Sequence, residues 1–248
     1  VLNPSSDAYD RRRITAEYAG ADIPDGESAV FAAYLPAVFA KMNAAVEENG
    51  QKRLLDEIEL PLAEVLASME REGFLVDAKG IEEFGKTLQE RIEKLVADIY
   101  ELAGYEFNLN SPKQLGEALF ERMGLPAKKK TKSGYSTNAE VLEGLAQDYP
   151  VVAMILEYRT LAKLKSTYCD GLLKAIAPDG RIHSTLNQTE TRTGRISSTE
   201  PNLQNIPVRS ELGKEMRKFF IAKEGSLLVD ADYSQIELRV LAHVANDK

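Results

Sequence analysis

The chain has 248 residues, of which 44% are apolar and 28% charged, with a formal net charge of −8 and one cysteine. This composition is typical of globular proteins long enough for more than one compact unit, and it excludes low-complexity and disulfide-stabilised classes. No signal-peptide pattern begins the chain and no apolar stretch approaches the length that spans a bilayer, so we expect a soluble intracellular protein without a membrane partner. The acidic balance argues mildly against a nucleic-acid partner, although local clusters of charge matter more than the sum.

The first third of the chain is predicted to be helical. It begins at Val1 without an initiator methionine, and we expect a preceding part to have been removed. Residues 26–48 are rich in alanine, with Pro36 as a break or kink. Apolar residues then recur at three-residue and four-residue steps from Ile58 to Met69. Gly73 is expected to end that helix as a C-terminal cap.

Two long helices are predicted in the middle of the chain. Apolar residues keep helical period from Ile81 to Leu102, between Asp77 and Gly104, which predicts a helix of roughly 40 Å at 1.5 Å per residue. A second long helix follows Pro150 and is expected to pair antiparallel with the first. Cys169 lies in it as a small packed residue rather than a reactive thiol.

A basic, glycine-bearing tip is predicted between two short helices. Capping boxes at Ser111–Gln114 and Thr137–Glu140 mark the starts of these helices. The lysines between them are Lys128, Lys129, Lys130 and Lys132, and Arg159, Lys163 and Lys165 follow on the second long helix. Basic charge is therefore concentrated near the middle of the chain.

The last quarter is predicted to contain strands and a final helix. Residues 181–189 are extended in character, and the apolar runs Phe219–Ile221 and Leu227–Val229 flank turn residues, which predicts a hairpin with the second run as a buried strand. Helical spacing resumes at Ile236. Asp232 would then stand at the exit of the strand, where its carboxylate could bind a hard cation such as Mg²⁺. A lone Asp in this place is also a common cap or turn residue.

Two long segments in this quarter resemble a known family. Residues 191–209 (TRTGRISSTEPNLQNIPVR) and residues 230–239 (DADYSQIELR) are similar to the palm of family A DNA polymerases, of the bacterial DNA polymerase I type. Residues 156–168 (LEYRTLAKLKSTY) resemble the long thumb helix of that family. The resemblance implies an α+β fold, predominantly helical, in which long antiparallel thumb helices lead into the start of an antiparallel β palm.

The resemblance also implies a domain order. Residues 1–50 would be the end of a 3′→5′ exonuclease-like domain, and residues 51–76 a helix connecting into the polymerase domain. Residues 77–178 would form the thumb, and residues 179–248 the N-terminal part of the palm.

By resemblance, Asp232 is the catalytic and metal-binding aspartate. The family uses two Mg²⁺ ions for phosphoryl transfer, and Tyr233 would contribute its backbone carbonyl to one of them. Glu237 would pack against the incoming sugar and select deoxynucleotides, although an acid in a first helical turn needs no function. Asp230 is interpreted as structural.

The residues implied in DNA binding fall into two groups. Arg195, Asn202, Gln204, Asn205 and, more weakly, Arg209 match positions along the minor groove and backbone of the primer-template. The phosphate contacts would come from Lys129, Lys130, Arg159 and Lys163. Asn and Gln near Pro201 are also typical turn residues, and both roles are compatible.

The implied partners are primer-template DNA, deoxynucleoside triphosphates and the remainder of a polymerase chain. The implied location is the bacterial cytoplasm, at the nucleoid. The fingers and a second palm motif do not follow Lys248, so we expect this chain alone to be inactive. Alternatives are a non-catalytic duplex-binding half of a split polymerase, a single-subunit RNA polymerase, and a metal-dependent nuclease. Glu237 and residues 191–209 argue against the RNA polymerase, and the lack of a second carboxylate cluster argues against the nuclease.

Overall fold

A computed structural model of the protein describes residues 2, 9–26, 28–127, 130–131, 134–208 and 210–247, with the side chains of residues 130 and 131 outside the description. Its architecture is predominantly helical, with a few short antiparallel strands, which confirms the predicted fold class. The helices are α1 (Arg11–Ala19), α2 (Ser28–Glu48), α3 (Lys52–Leu54), α4 (Leu60–Glu72), α5 (Ala78–Ala103), α6 (Pro112–Gly116), α7 (Ala139–Ala146), α8 (Pro150–Lys163), α9 (Asp170–Ala175), α10 (Glu211–Arg217) and α11 (Ile236–Ala245).

Three π-helical turns interrupt these helices, at Leu55–Glu59, Glu117–Arg122 and Leu164–Cys169, and a 3₁₀ turn covers Leu203–Asn205. The strands are β1 (Phe74–Leu75), β2 (Lys130–Thr131), β3 (Gly134–Tyr135), β4 (Arg181–Ile182), β5 (Thr185–Asn187) and β6 (Ser197–Thr199). They form the antiparallel pairs β1–β4, β2–β3 and β5–β6. In the last pair, Leu186 stands opposite Ser198.

Helix α2 differs from the sequence expectations in two respects. Pro36 lies inside α2, so the helix does not break there, while a kink at this residue stays a prediction. The helix is also long and apolar enough, by length and composition, to cross a membrane, contrary to our expectation that no stretch reaches that length. This criterion is weak for a single helix, since core helices of soluble proteins also meet it.

Gly73 ends α4 as predicted. Its φ of +60° is unfavourable for other residues, and its N–H donates to the Met69 carbonyl at 2.9 Å. A Cβ at this position would lie 2.7 Å from both the Ile182 carbonyl oxygen and the Nδ1 atom of His183. Glycine therefore allows the chain to turn and β4 to approach the end of α4 closely.

The two long helices are antiparallel neighbours, as predicted. Asp77 caps α5 by accepting from the Gly80 N–H at 2.9 Å, and Gly104 ends it with a φ of +76°. Gly85, early in α5, faces Cys169 late in the second helix, whereas Arg91 pairs with Glu157 nearer that helix's start. The main core lies here, with fully buried side chains at Ile81, Ile99, Leu115, Leu119, Leu142, Leu145, Val152, Ile155, Leu161, Leu172, Ile182 and Met216.

The short helices start at the predicted sites, with one shift. Ser111 caps α6, as expected. The cap of α7 is Asn138, which accepts from the Val141 N–H at 3.0 Å, rather than Thr137. The shift has a physical reason, because the Thr137 hydroxyl and carbonyl both accept hydrogen bonds from Arg159.

The predicted strand at Leu227–Val229 is wrong. Residues 226–233 have no strand pairing, and Leu227 and Val229 are 88% and 87% exposed. The turn before them is present, since the Ser226 N–H donates to the Lys223 carbonyl at 2.9 Å, and Phe220 pairs with Val76 beside β1. An apolar run becomes a strand only where a neighbour takes up its backbone groups, and no described strand lies beside this one.

Candidate nucleic-acid interface and metal-binding segment

The loop at Asn202–Asn205 is shaped by its own side chains. Asn202 Oδ1 accepts from the Gln204 N–H at 3.0 Å and caps the 3₁₀ turn. Gln204 Nε2 donates to the Ile196 carbonyl at 2.8 Å. These contacts support the turn role of the amides. Because Oδ1 of Asn202 faces the turn, the Nδ2 group of the same side chain points away from the turn. Nδ2 is therefore the group that can donate a hydrogen bond to a partner.

A cleft brings three of the predicted DNA-binding residues together. Lys163 lies at the end of α8, and Asn202 and Asn205 lie across from it. The cleft has a volume of about 380 Å³, and its other lining residues are Thr167, Tyr168, Leu172 and Pro201. The Tyr168 hydroxyl donates to the Asn205 carbonyl and links the second long helix to the loop. A cation and amide donors in one polar cleft suit a phosphodiester backbone and the groove beside it.

Arg159 is used inside the protein. Its guanidinium is partly buried and donates through Nη1 to the Thr137 carbonyl and through Nη2 to the Thr137 hydroxyl, at 3.3 Å. Burial lowers the pKa of this guanidinium below its usual value. Lys163 lies one turn after Arg159 on the same helix and lines the cleft, whereas Arg159 does not. The geometry of Arg159 is that of an anchor for the residues that follow β3.

Three predicted DNA contacts have no described side chain. Lys129 and Arg209 lie outside the described residues, and only the backbone of Lys130 is described, as part of β2. In that strand, Lys130 is paired with Tyr135. The Tyr135 ring packs on Phe120, with 5.1 Å between the ring centroids. The base of the predicted basic tip is thus attached to the helical core.

Arg195 and Glu237 lie together. Arg195 Nη2 donates to Glu237 Oε1, and both side chains are exposed. Glu237 stands in the first turn of α11, as predicted, after Gln235 in the left-handed conformation with a φ of +56°. The structure therefore joins a predicted minor-groove residue to the predicted nucleotide-selecting residue.

The predicted metal ligands lie in the exposed segment before α11. Asp232 lies in a segment that is neither helix nor strand, and Tyr233 is 79% exposed. Asp230 is exposed on the same segment. Among the residues that the structure describes, no group of three or more His, Cys, Asp or Glu side chains could hold a metal ion. The Asp232 carboxylate and the Tyr233 carbonyl are oxygen donors of the kind that Mg²⁺ prefers. Two such donors form only part of a metal site, so further ligands would be needed.

The residues that support the loop are not predicted from the sequence. Tyr168 lies in the segment 156–168 that resembles the thumb helix and has no predicted role of its own, yet its hydroxyl contacts Asn205. Ser184 and Ser198 were given no role, yet they are buried behind the loop at 6% and 2% exposure. Spacing carries no signal for these three residues, because folding alone brings their hydroxyls close to the atoms that they contact.

The chain is similar in sequence to one family of known proteins. The model of DNA polymerase family A matches residues 78–248. The chain is 56% identical over 208 residues to DNA polymerase I of Lactococcus lactis subsp. lactis, covering 84% of this chain and 24% of that protein. It is 44% identical over 252 residues to DNA polymerase I of Caldicellulosiruptor bescii, covering 100% of this chain and 30% of that protein.

A solved structure shares the fold. The POL domain of a polymerase from M. smegmatis, in complex with DNA primer-template and dNTP, superposes with a TM-score of 0.89 at 36% identity. The match covers 99% of this chain and 44% of that one. The chain therefore spans about a quarter of the length of the curated relatives that it matches, and under half of the solved domain.

Proposed function

Because the chain belongs to DNA polymerase family A, we propose that it is part of a DNA-directed DNA polymerase. This enzyme adds deoxynucleotides to a primer 3′-hydroxyl under the direction of a DNA template, in replication and repair. The observation that carries the proposal is the cleft in which Lys163, Asn202 and Asn205 meet. The solved relative was found with primer-template and dNTP, which supports the same partners here.

The cleft would bind DNA by two kinds of contact. Lys163 would neutralise a backbone phosphate, which positions a duplex without reading its sequence. The Nδ2 group of Asn202 would donate to a minor-groove acceptor, O2 or N3, which all correctly paired bases present in equivalent places. Arg195 and Gln204 lie on the same segment and would extend this surface. Together they would test the shape of a base pair rather than its identity.

The domain division follows from the same proposal. The antiparallel pair formed by α5 and α8 supports a thumb at residues 77–178, and residues 179–248 would be the first part of the palm. Residues 51–76 would connect to it from the end of an exonuclease-like domain at residues 1–50. The apolar surface of α2 would pack on protein rather than lipid. The match to DNA polymerase I of Caldicellulosiruptor bescii covers 100% of this chain and therefore includes this helix. We place the protein in the bacterial cytoplasm, at the nucleoid.

The donor chemistry of Asp232 and Tyr233 fits magnesium. Both would contribute oxygen atoms, and the remaining ligands would come from the rest of the polymerase. When bound, two Mg²⁺ ions stabilise the negative charge that develops in phosphoryl transfer. Glu237, five residues after Asp232, would border the sugar of the incoming nucleotide and exclude a 2′-hydroxyl.

The test is Mg²⁺-dependent primer extension by this chain alone, and again after addition of the polymerase segment that follows it in the relatives. We expect no synthesis alone and synthesis on mixing, which an Asp232→Ala substitution should abolish. Synthesis that survives D232A would contradict the role of this aspartate. Synthesis by the chain alone would show that it completes a metal site by itself, with Asp230 as the first candidate ligand.

A second candidate is a duplex-binding module without catalysis. It is favoured by the cleft, whose lining residues include Lys163, Asn202 and Asn205 but neither Asp232 nor Glu237. Duplex binding together with inactivity after mixing would support this candidate over the first.

A further inference from the structure

Two buried serines lie directly behind the Asn202–Asn205 loop. Ser184 precedes β5 and Ser198 lies in β6, with their hydroxyl oxygens 2.6 Å apart. Ser184 Oγ is also 2.7 Å from the Pro201 carbonyl and 3.1 Å from the Thr199 carbonyl. Ser198 Oγ lies 3.2 Å from the Pro201 carbonyl and accepts from the Leu203 N–H at 3.1 Å.

A count of protons shows how these groups are satisfied. The two hydroxyls supply two donors, and the Leu203 N–H supplies a third. The two shortest contacts can both be hydrogen bonds if the Ser198 hydroxyl donates to Ser184 Oγ and the Ser184 hydroxyl donates to the Pro201 carbonyl. Ser198 then accepts from Leu203, so each hydroxyl both donates and accepts. Because these groups are removed from water, loss of the Ser198 hydroxyl leaves the Leu203 N–H without its acceptor, and loss of the Ser184 hydroxyl removes the shortest bond to the Pro201 carbonyl.

These bonds reach beyond the β5–β6 pairing. The strand ladder ends at the pair formed by Thr185 and Thr199. The serine hydroxyls continue to the Pro201 carbonyl and the Leu203 N–H, which lie on either side of Asn202. At the far end, the Tyr168 hydroxyl bonds the Asn205 carbonyl, and Ile206 is buried. The loop is therefore attached at both ends, and the backbone around Asn202 is fixed by the serines.

We propose that Ser184 and Ser198 are positioning residues for DNA recognition, because their hydroxyl pair sets the direction in which Asn202 donates to the minor groove of the primer-template. This inference rests on the proposed function and adds to it a buried element that touches no DNA. The sheet pairing places β6, and the serine pair places the amide of Asn202. If the pair is lost, the cleft persists but its donor is no longer aligned with the acceptor.

The experiment measures the contribution of one DNA acceptor in each protein variant. Two fluorescent primer-template duplexes differ only at the primer end, where one carries guanine and the other 3-deazaguanine, which lacks the minor-groove N3 acceptor. Binding to the 248-residue chain is followed by fluorescence anisotropy. For the wild type we expect the analogue to weaken binding roughly fivefold, the size of one hydrogen bond. In S198A we expect this penalty to fall below about twofold. In S184A it should fall less, because Ser198 still reaches the Pro201 carbonyl at 3.2 Å, and S197A, a neighbour on the other face of β6, should retain it.

Folding is checked in the same variants. Amide hydrogen exchange at Leu203 should accelerate in S198A, which loses the acceptor, and less in S184A, which keeps it. If S198A does not fold, S184A carries the test alone, because Ser184 accepts no bond from the loop N–H.

The outcomes separate this inference from the proposed function. A fivefold penalty that persists in both serine variants would overturn the positioning role while the DNA-binding function stands. Tight duplex binding without any wild-type penalty would overturn the groove contact of Asn202 and the positioning role with it. Absence of duplex binding by the wild type would overturn the proposed function itself, and the inference that rests on it.

Discussion

Arg195 and Glu237 form an ion pair across 42 positions of the sequence, with Nη2 of the arginine donating to Oε1 of the glutamate. One residue belongs to the segment before β6, and the other to the first turn of α11. The pair therefore joins the proposed DNA surface to the helix that follows Asp232. It places Glu237, the side chain proposed to select nucleotides, beside a side chain that would follow the primer-template.

Glu237→Ala should weaken discrimination against ribonucleotides. The shortened side chain would no longer fill the space of a 2′-hydroxyl, so the ratio of kcat/KM for dCTP to that for CTP should fall at least about tenfold. The measurement uses the polymerase reassembled from this chain and the segment that follows the matching region in the relatives. Arg195→Ala separates the two roles: the side chains are 74% and 67% exposed, so loss of the pair should change that ratio less than about fivefold. An unchanged ratio in E237A would remove the selecting role.

Lys163→Ala should weaken duplex binding, whereas Arg159→Ala should lower the stability of the protein. Lys163 lines the cleft, so its loss should reduce the slope of log Kd against log salt concentration by about 0.9, the value for one phosphate contact. The Arg159 guanidinium bonds Thr137, so its loss should leave that slope unchanged and lower the free energy of unfolding by about 1 to 3 kcal/mol. Fluorescence anisotropy at several salt concentrations and urea denaturation measure both effects. A slope that falls by one contact in R159A would restore a direct phosphate role for Arg159.

Gly213→Ala should destabilise the protein, whereas Gly171→Ala should not. A Cβ on Gly213, in α10, would lie 2.2 Å from the Pro207 carbonyl oxygen, and this backbone atom would have to shift. We expect a loss of about 1 to 3 kcal/mol in the free energy of unfolding. At Gly171, in α9, the nearest atom is the Ser166 carbonyl oxygen at 3.6 Å, so alanine should gain up to about 1 kcal/mol from helix propensity. Urea denaturation compares the two, and equal effects would contradict the close approach at Gly213.

His183 should make the stability dependent on pH. Its Nδ1 lies 2.7 Å from the Glu70 carbonyl and its Nε2 lies 3.1 Å from Asp179 Oδ2. Both partners are acceptors, so both ring nitrogens donate only when the imidazole is protonated. The Glu70 carbonyl and then Asp179 raise the pKa of His183 above its usual value.

The sign of the effect follows from that shift. The stabilisation by His183 is fully present below the pKa of the unfolded state, about 6.5, and disappears as the pH rises through the raised value of the folded state. The difference in Tm between wild type and H183Q should therefore shrink between pH 6 and pH 8.5. His243→Gln, at the end of exposed α11, is the matched control. A constant difference across this range would contradict the donation by both nitrogens.

Cys169 should be unreactive in the folded protein. The thiol is buried against Gly85 and near Met216, and burial raises its pKa to about 11. At pH 8 almost no thiolate exists to attack a disulfide reagent. Labelling with Ellman's reagent should therefore proceed only as the protein unfolds, at a rate that rises with urea, and should reach one thiol per chain in the unfolded state. Fast labelling without denaturant would show that this part of the core opens locally.

The sequence by itself determined the long helices and several helix ends. The series from Ile81 to Leu102 predicted α5 because helical period is a local property, and Asp77, Gly73 and Gly104 act on backbone groups within four residues of themselves. Ser111 was found at its helix start for the same reason. The family was recognisable because residues 191–209 and 230–239 are continuous segments.

Only the tertiary structure decided features that depend on distant partners. Asn138 rather than Thr137 caps α7 because Arg159, 22 positions from Thr137, occupies the threonine. Leu227–Val229 is apolar but exposed, since a strand needs a neighbour that spacing cannot reveal. Ser184 and Ser198 carry no pattern at all, yet they meet behind Asn202 because strand pairing brings residues 14 positions apart into contact. Local periodicity reports which face of an element is apolar, whereas the identity of the atoms across from that face is a property of the folded chain.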